Sequence, residues 1–418
     1  MTGRRAVLTV TAIAAVVFAT TACSSAGGEP DLSIVLGGNG TDTDDAWRDV
    51  VAGFEAANPD IEVELEFFNT NDYDQLLKTR LSGGAGPDVY WLDLGNIADF
   101  IEDGFAADLE GVGSDYLDRL TPDAREDSER YSPDGGAYNV PIGLSTNGIL
   151  YNVELFEAAG ITQAPTTYTD FLAACEKLLD SGVTPIAMSA QDNWWPQFII
   201  YYALAQHGAN EALGEAMLAG EADFSSREAW VRSMEIVREL TPYYLPNPLG
   251  TSQTAAQQAF LSGEAAMFPQ SVLLDDARAA DIDVGFMDFP TVDTQVPFQW
   301  GAYAPRLGVN PGNDRTDNAH RFIEYFLTDE VYKPWLERAN VFPTTTTVEL
   351  GAEVDPLYPV MQSGWEGREF VDLFSPASTD MQTQLLVAMQ NVISGERTPR
   401  EALEDLDGAL ERFRAANT

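Results

Sequence analysis

The chain has 418 residues, 45% hydrophobic and 21% charged, enough to bury the cores of two domains. Its 66 acidic and 23 basic residues leave a formal net charge of −43, which argues against nucleic acid as a partner because the phosphates would be repelled. Two cysteines and two histidines (His207 and His320) offer little from which to build a disulfide framework, a catalytic triad or a multi-histidine metal site.

At the start, Arg4 and Arg5 precede the apolar run Ala6–Ala19, which is short for a bilayer span, and small residues then lead to Cys23. This reads as a signal peptide over residues 1–22. Thr20-Thr21-Ala22-Cys23 resembles a lipoprotein cleavage box, with Cys23 as the lipid-bearing first residue, although Thr20 stands where leucine is usual. A plain secretory signal is the alternative. Residues 23–31 form a short polar tether. Cys175, among Phe171, Leu172, Leu178 and Leu179 at helical spacing, reads as a buried structural thiol.

Leu32–Leu36 is the first expected strand, Gly37–Asp45 a loop feeding a helix to about Ala57, and Ile61–Phe68 a second, alternating strand. Because the loop lies beyond a strand's carboxyl end, Asn39, Thr41 and Asp42 are candidate ligand contacts. Gly37–Gly40 lacks the lysine and hydroxyl residue of a phosphate loop, and Asp42, Asp44 and Asp45 lack calcium-loop spacing, so one of these aspartates is expected to cap the helix instead.

The stretch Leu81–Leu109 organises this half. Leu76, Leu77 and Leu81 end an amphipathic helix, Ser82–Pro87 stops it, Val89–Leu92 reads as a buried strand, and Ile97–Gly104 as the next helix. Trp91, Asp93 and Asn96 then fall near the carboxyl edge of a sheet, where open α/β sheets bind ligands. A flat ring beside a carboxylate suits a sugar's C–H face and hydroxyls; the alternative is a core tryptophan and a helix cap.

Further on, Thr166–Asp180 reads as a helix capped by Thr166 or Thr167 and ended by Gly182, and Pro185–Ala190 as a strand delivering the loop Gln191–Gln197. Its adjacent Trp194 and Trp195 fit a sugar platform; Trp194 is the expected platform, with Trp195 packed on the helix Phe198–Gln206. Ala255–Gly263 is an expected helix and Ala265–Phe268 a strand. Thr316–Asn340 is expected to be helical with a kink or break at Pro334, and helices are expected near Gln382–Ser394 and Pro399–Ala416. Arg368, able to fork onto vicinal hydroxyls with Trp365 nearby, is a ligand candidate whose alternative is a surface salt bridge.

GGAGPDVYWLD with its following DGFAADL, Tyr138–Ile161, Ala259–Ser271 and Phe322–Pro343 together resemble, in order and over most of the chain, the sugar-binding lipoproteins of bacterial ABC importers, the family typified by maltose-binding protein. The resemblance implies a two-lobed α/β fold of the type II periplasmic-binding-protein kind, each lobe a mainly parallel sheet flanked by helices, joined by a hinge. It implies one lobe from residues 32–142 and 297–345 and another from 143–296 and 346–418, with crossings near Pro141–Leu144 and Val341–Thr347. Ser145 and Asn147 stand where relatives place a polar ligand contact, and Phe298–Tyr303 where they return through a glycine-bearing strand lining the cleft, so Trp300, Gly301 and Tyr303 join the candidates. Relatives follow the Ala265–Phe268 strand with a glycine and a stacking tryptophan; here Pro269, Gln270, Ser271 and Leu273 stand instead, leaving Gln270 as a hydroxyl partner.

The implied function is capture of a carbohydrate by a membrane-tethered monomer that hands it to an ABC permease, with no catalysis, metal or cofactor. Two alternatives remain open from the residues. A glycoside hydrolase would use a carboxylate pair such as Asp93 and Glu366, and a polyamine-binding protein would set acidic groups against ammonium ligands.

Overall fold

The structure is a computed structural model describing residues 30–38, 42–69, 73–92, 97–111, 115–191, 197–206, 216–217, 219–292, 300–312, 314–363 and 379–416. Its first half is built on β1 (Leu32–Gly38), followed by α1 (Asp42–Ala57), β2 (Val63–Asn69), α2 (Tyr73–Ser82), β3 (Val89–Leu92) and α3 (Ile97–Glu102). β1 is apolar at nearly every position because both its faces are covered. Leu32, Ile34 and Leu36 enter one core, while Val35 enters another with Leu77, Tyr90, Leu92 and Phe100. On the first face α1 packs against the helices Thr316–Phe326 and Asp329–Ala339, with the Trp47 ring 4.8 Å from Phe326 and 5.1 Å from Trp335.

The chain continues through α4 (Pro122–Glu129) to β4 (Val140–Pro141), β5 (Leu144–Asn147) and β6 (Ile149–Asn152). After α5 (Val153–Ala158) and α6 (Tyr168–Asp180) come β7 (Thr184–Ile186), α7 (Gln197–Gln206), β8 (Ala265–Phe268), β9 (Val284–Met287), β10 (Trp300–Tyr303) and β11 (Arg306–Val309). Two sheets and a ribbon result. The first sheet has the order β2-β1-β3-β11-β4, the second β7-β8-β6-β9, and β5 and β10 form a separate two-stranded ribbon. This is a two-lobed α/β architecture, the ribbon lying in sequence between the two sheets on both passages of the chain.

The sheets are more mixed than the mainly parallel arrangement expected. β1 runs parallel to β2 and β3, but β11 is antiparallel to β3 and β4. In the second sheet only β7 and β8 are parallel, and β6 opposes both β8 and β9. The reason is connectivity. Parallel neighbours need a helical crossover, whereas β6 and β11 are fed directly by the ribbon strands and keep the direction in which they arrive.

Local signals place several elements. Thr167 caps α6, its hydroxyl accepting the Asp170 N–H at 3.2 Å, and Gly182 at φ +86° closes the turn after it. The helix from Thr316 does not break at Pro334. It ends at Phe326, and a new helix starts after Thr328, whose backbone is extended. Pro334 sits inside that helix; the carbonyl it deprives of a donor belongs to the exposed Glu330, where water can serve it. The strand expected over Pro185–Ala190 stops at Ile186, and the buried residues beyond it follow an irregular path in which Ala190 donates to Pro248.

Candidate functional site

The first sheet has its topological switch point at β1, since β2 lies on one side of it and β3 on the other. Crevices for ligands open at the carboxyl ends of strands flanking such a point. Gly38 ends β1 there, and a Cβ on it would lie 2.8 Å from Phe67 Cδ1 and 2.9 Å from Asp44 Oδ2. The bare glycine thus lets the buried Asp44 carboxylate, from the first turn of α1, approach the strand end. Asp44 was expected at most to cap the helix; its burial gives it a second distinction that the sequence did not signal.

Trp91, in β3, is half-buried and packs against both of the apolar clusters that β1 enters. Its ring lies 5.6 Å from that of Tyr73 at 53°, and its buried Nε1 has no hydrogen-bond partner among the described residues. In the second sheet, Gln270 follows β8, donates its backbone N–H to Phe268 and is 5% exposed. Its Oε1 also lacks a partner among the described residues, as does Oγ of the fully buried Ser189 beyond the neighbouring strand β7. Polar atoms left open beside strand ends suit a ligand rich in hydroxyls.

The ribbon brings four candidates together by register. Trp300 stands opposite Asn147, Gly301 opposite Thr146, and Ser145 opposite Ala302. Tyr303, opposite Leu144, is 7% exposed; burial raises its phenol pKa, as do the carboxylates of Asp123 and Asp127, while Thr121 hydrogen-bonds its side chain. That orientation ties it into the first lobe. Asp42 opens α1, and of its side chain, as of those of Asn147 and Trp300, only the backbone position is described. Cys23, Asn39, Thr41, Asp93, Asn96, Trp194, Trp195, Trp365, Glu366 and Arg368 lie outside the described residues.

Tyr73, Leu77 and Leu81 recur at i, i+4 and i+8 and are all buried on one face of α2, the pattern of an ordinary core position. A groove of about 490 Å³ opens elsewhere, lined among others by Pro30, Glu64, Glu66, Arg80, Pro87 and Arg315. It faces the amino ends of β1 and β3, and its guanidiniums are engaged, Arg80 by Glu66 at 2.7 Å and Arg315 by Asp88 at 3.1 Å. It is therefore a poor rival to the carboxyl edge. Among the described residues no His, Cys, Asp and Glu cluster could hold a metal ion, and no helix is long and apolar enough to cross a membrane.

The chain belongs to the bacterial extracellular solute-binding protein family, whose sequence profile matches residues 37–333. The family consists of binding proteins and not enzymes, which sets the glycoside hydrolase alternative aside. A binding protein of Brucella abortus is 28% identical over 159 residues, so the match spans 37% of this chain and 38% of that relative. The diacetylchitobiose binding protein DasA of Streptomyces coelicolor is 23% identical over 384 residues, 86% of this chain and 81% of its own. Among solved structures, a chitin oligosaccharide binding protein shares the fold with a TM-score of 0.80 at 24% identity, over 92% of this chain and 98% of that one.

Proposed function

We propose that this chain is the sugar-capturing subunit of an ABC importer, held on the extracytoplasmic face of the membrane by a lipid on Cys23. One lobe comprises residues 32–142 and 297–345 and the other 143–296 and 346–418, and the sugar is held in the cleft between them. Support comes above all from the buried Trp91 Nε1 and Gln270 Oε1, a donor and an acceptor from the two sheets that have no partner among the described residues. Relatives named for diacetylchitobiose and maltotriose, and a related structure in complex with raffinose, point to the same ligand class. Asn39, Thr41, Asp42, Asp93, Ser145, Asn147, Gly301 and Arg368 supply the remaining polar contacts, and Trp194, Trp195, Trp300 and Trp365 the stacking faces. Tyr303, tied inward, supports the ribbon from behind.

A thermal-shift screen of the mature chain against N,N′-diacetylchitobiose, maltotriose, raffinose and spermidine tests this. A sugar at a hundredfold excess over its dissociation constant stabilises by about 2.7 kcal/mol. A shift with spermidine and none with any sugar favours the polyamine alternative. Cys23→Ala is expected to release the protein from membranes, and retention of the variant on the membrane argues against the anchor.

A further inference from the structure

Between β1 and β3, at the switch point, stands a side chain from neither strand. Their ladder has two matched positions, Ile34 with Val89 and Val35 with Tyr90, although β1 stays paired with β2 through Gly38 and β3 with β11 through Leu92. Where that short ladder ends, the Tyr73 hydroxyl takes over. It accepts the Trp91 N–H at 2.8 Å and lies 3.0 Å from the Val35 carbonyl oxygen and 2.9 Å from that of Trp91. A hydroxyl has one proton, so it serves the two carbonyls as a shared donor while its lone pair receives the amide.

The tyrosine is itself fixed. It opens α2, is 4% exposed, and its ring lies against Phe68 as well as Trp91. Its burial keeps it from offering a face to a ligand. What it fixes is the separation of two strand ends, one leading to Asn39–Thr41 and the other to Asp93–Asn96. It also fixes the backbone of Trp91 at both its N–H and its carbonyl. We propose that Tyr73 is a positioning residue for ligand binding, its hydroxyl spacing β1 from β3 at the switch point and fixing the backbone of Trp91, through which the ligand is met. This rests on the sugar-binding reading above.

The test is Tyr73→Phe, which keeps the ring and removes the bridge, with Tyr90→Phe as its control. Tyr90 lies in the same core, but its hydroxyl donates to the Phe105 carbonyl, at 2.7 Å and away from the switch point. Dissociation constants are measured by calorimetry, well below each melting transition, for whichever sugar of the panel the unaltered protein binds. Tyr73→Phe is expected to weaken binding about tenfold, and Tyr90→Phe to lower the melting temperature while leaving affinity unchanged. Unchanged affinity in folded Tyr73→Phe, or equal weakening in both variants, overturns the proposal. If Tyr73→Phe does not fold, hydrogen exchange of the Trp91 amide in the unaltered, ligand-free protein decides. Slow exchange sustains the bridge, and exchange at the solvent rate overturns it. If no sugar binds the unaltered protein, the sugar reading falls, and the spacing role is judged by the same amide.

Discussion

The ribbon of β5 and β10 is fastened differently at its two ends. Towards the first sheet it is held by directional bonds among buried groups. The Tyr332 hydroxyl receives the Thr344 N–H at 3.0 Å and donates to the Ile142 carbonyl at 2.8 Å, while the Thr344 hydroxyl donates to the Pro141 carbonyl at 2.7 Å. Leu144 and Phe342 exchange two backbone bonds, and the fully buried Arg306 forks onto the equally buried Asp127 at 2.7 and 2.9 Å. Towards the second sheet, Gly148 alone separates β5 from β6, and a Cβ placed on it would meet the Phe286 ring first. Hydrogen bonds fix angle and register, whereas an apolar contact tolerates sliding and rotation. The difference teaches that the chain on the first-sheet side is set by directional bonds, while the step from β5 into β6 is set by how closely Gly148 packs on Phe286.

Breaking the directional end carries the largest expected effect. Asp127→Ala leaves the Arg306 guanidinium buried without this carboxylate, a loss of about 3–5 kcal/mol in denaturant unfolding. Replacing both residues, as in Asp127→Leu with Arg306→Met, is expected to recover most of that stability, because no buried charge is left uncompensated. If the single variant unfolds at the same denaturant concentration as the unaltered protein, the clamp is not what holds this end.

Filling the apolar end comes next. An added Cβ at Gly148 would lie 2.1 Å from Phe286 Cζ and 2.8 Å from the Met287 carbonyl, so Gly148→Ala is expected to cost about 1–3 kcal/mol by overpacking. Trimming the ring with Phe286→Leu in the same chain is expected to return part of the loss. Additive losses in the double variant would show that the glycine answers to the backbone and not to the ring.

A smaller effect is expected from His320, which shares a 2.9 Å contact from Nδ1 with the Tyr116 hydroxyl inside the first lobe. Burial lowers its pKa, against a weaker opposing pull from Asp317. The folded state therefore binds this proton less readily than the unfolded state. Its contribution to stability is fully present above the ordinary histidine value of about 6.5 and is lost as pH falls through that value towards the folded one. His320→Phe is expected to flatten the fall in unfolding free energy over that window, and an unaltered slope would assign the pH dependence to other groups.

Much of the fold was legible. β3 over Val89–Leu92, β8 over Ala265–Phe268 and the helix Pro399–Ala416 lie where their patterns put them, because glycine or proline borders each and its interior obeys one period. Strand direction was less legible, since whether β6 runs with or against β8 depends on where the ribbon delivers it and leaves no local mark. Pro334 misled because a proline is a strong local signal, while the true break at Thr328 shows only in its extended backbone. Gln270 and Trp91 were singled out from their places near strand ends, and each carries a buried polar atom without a partner among the described residues. Tyr303 was legible as a strand residue, but its inward side depends on pairing with Leu144. Tyr73 looked like an ordinary core position, because hydrogen bonds to Val35 and Trp91 are made only once β1 and β3 are side by side.

Capture of a sugar between two lobes, as proposed above, predicts that the ligand draws them together. A ligand shifts an open–closed equilibrium only by its extra contacts in the closed form. Small-angle scattering decides the matter most directly, recorded with and without a saturating concentration of the sugar that calorimetry shows to bind. A smaller radius of gyration in the bound state is the result predicted; identical profiles under proven saturation would contradict it.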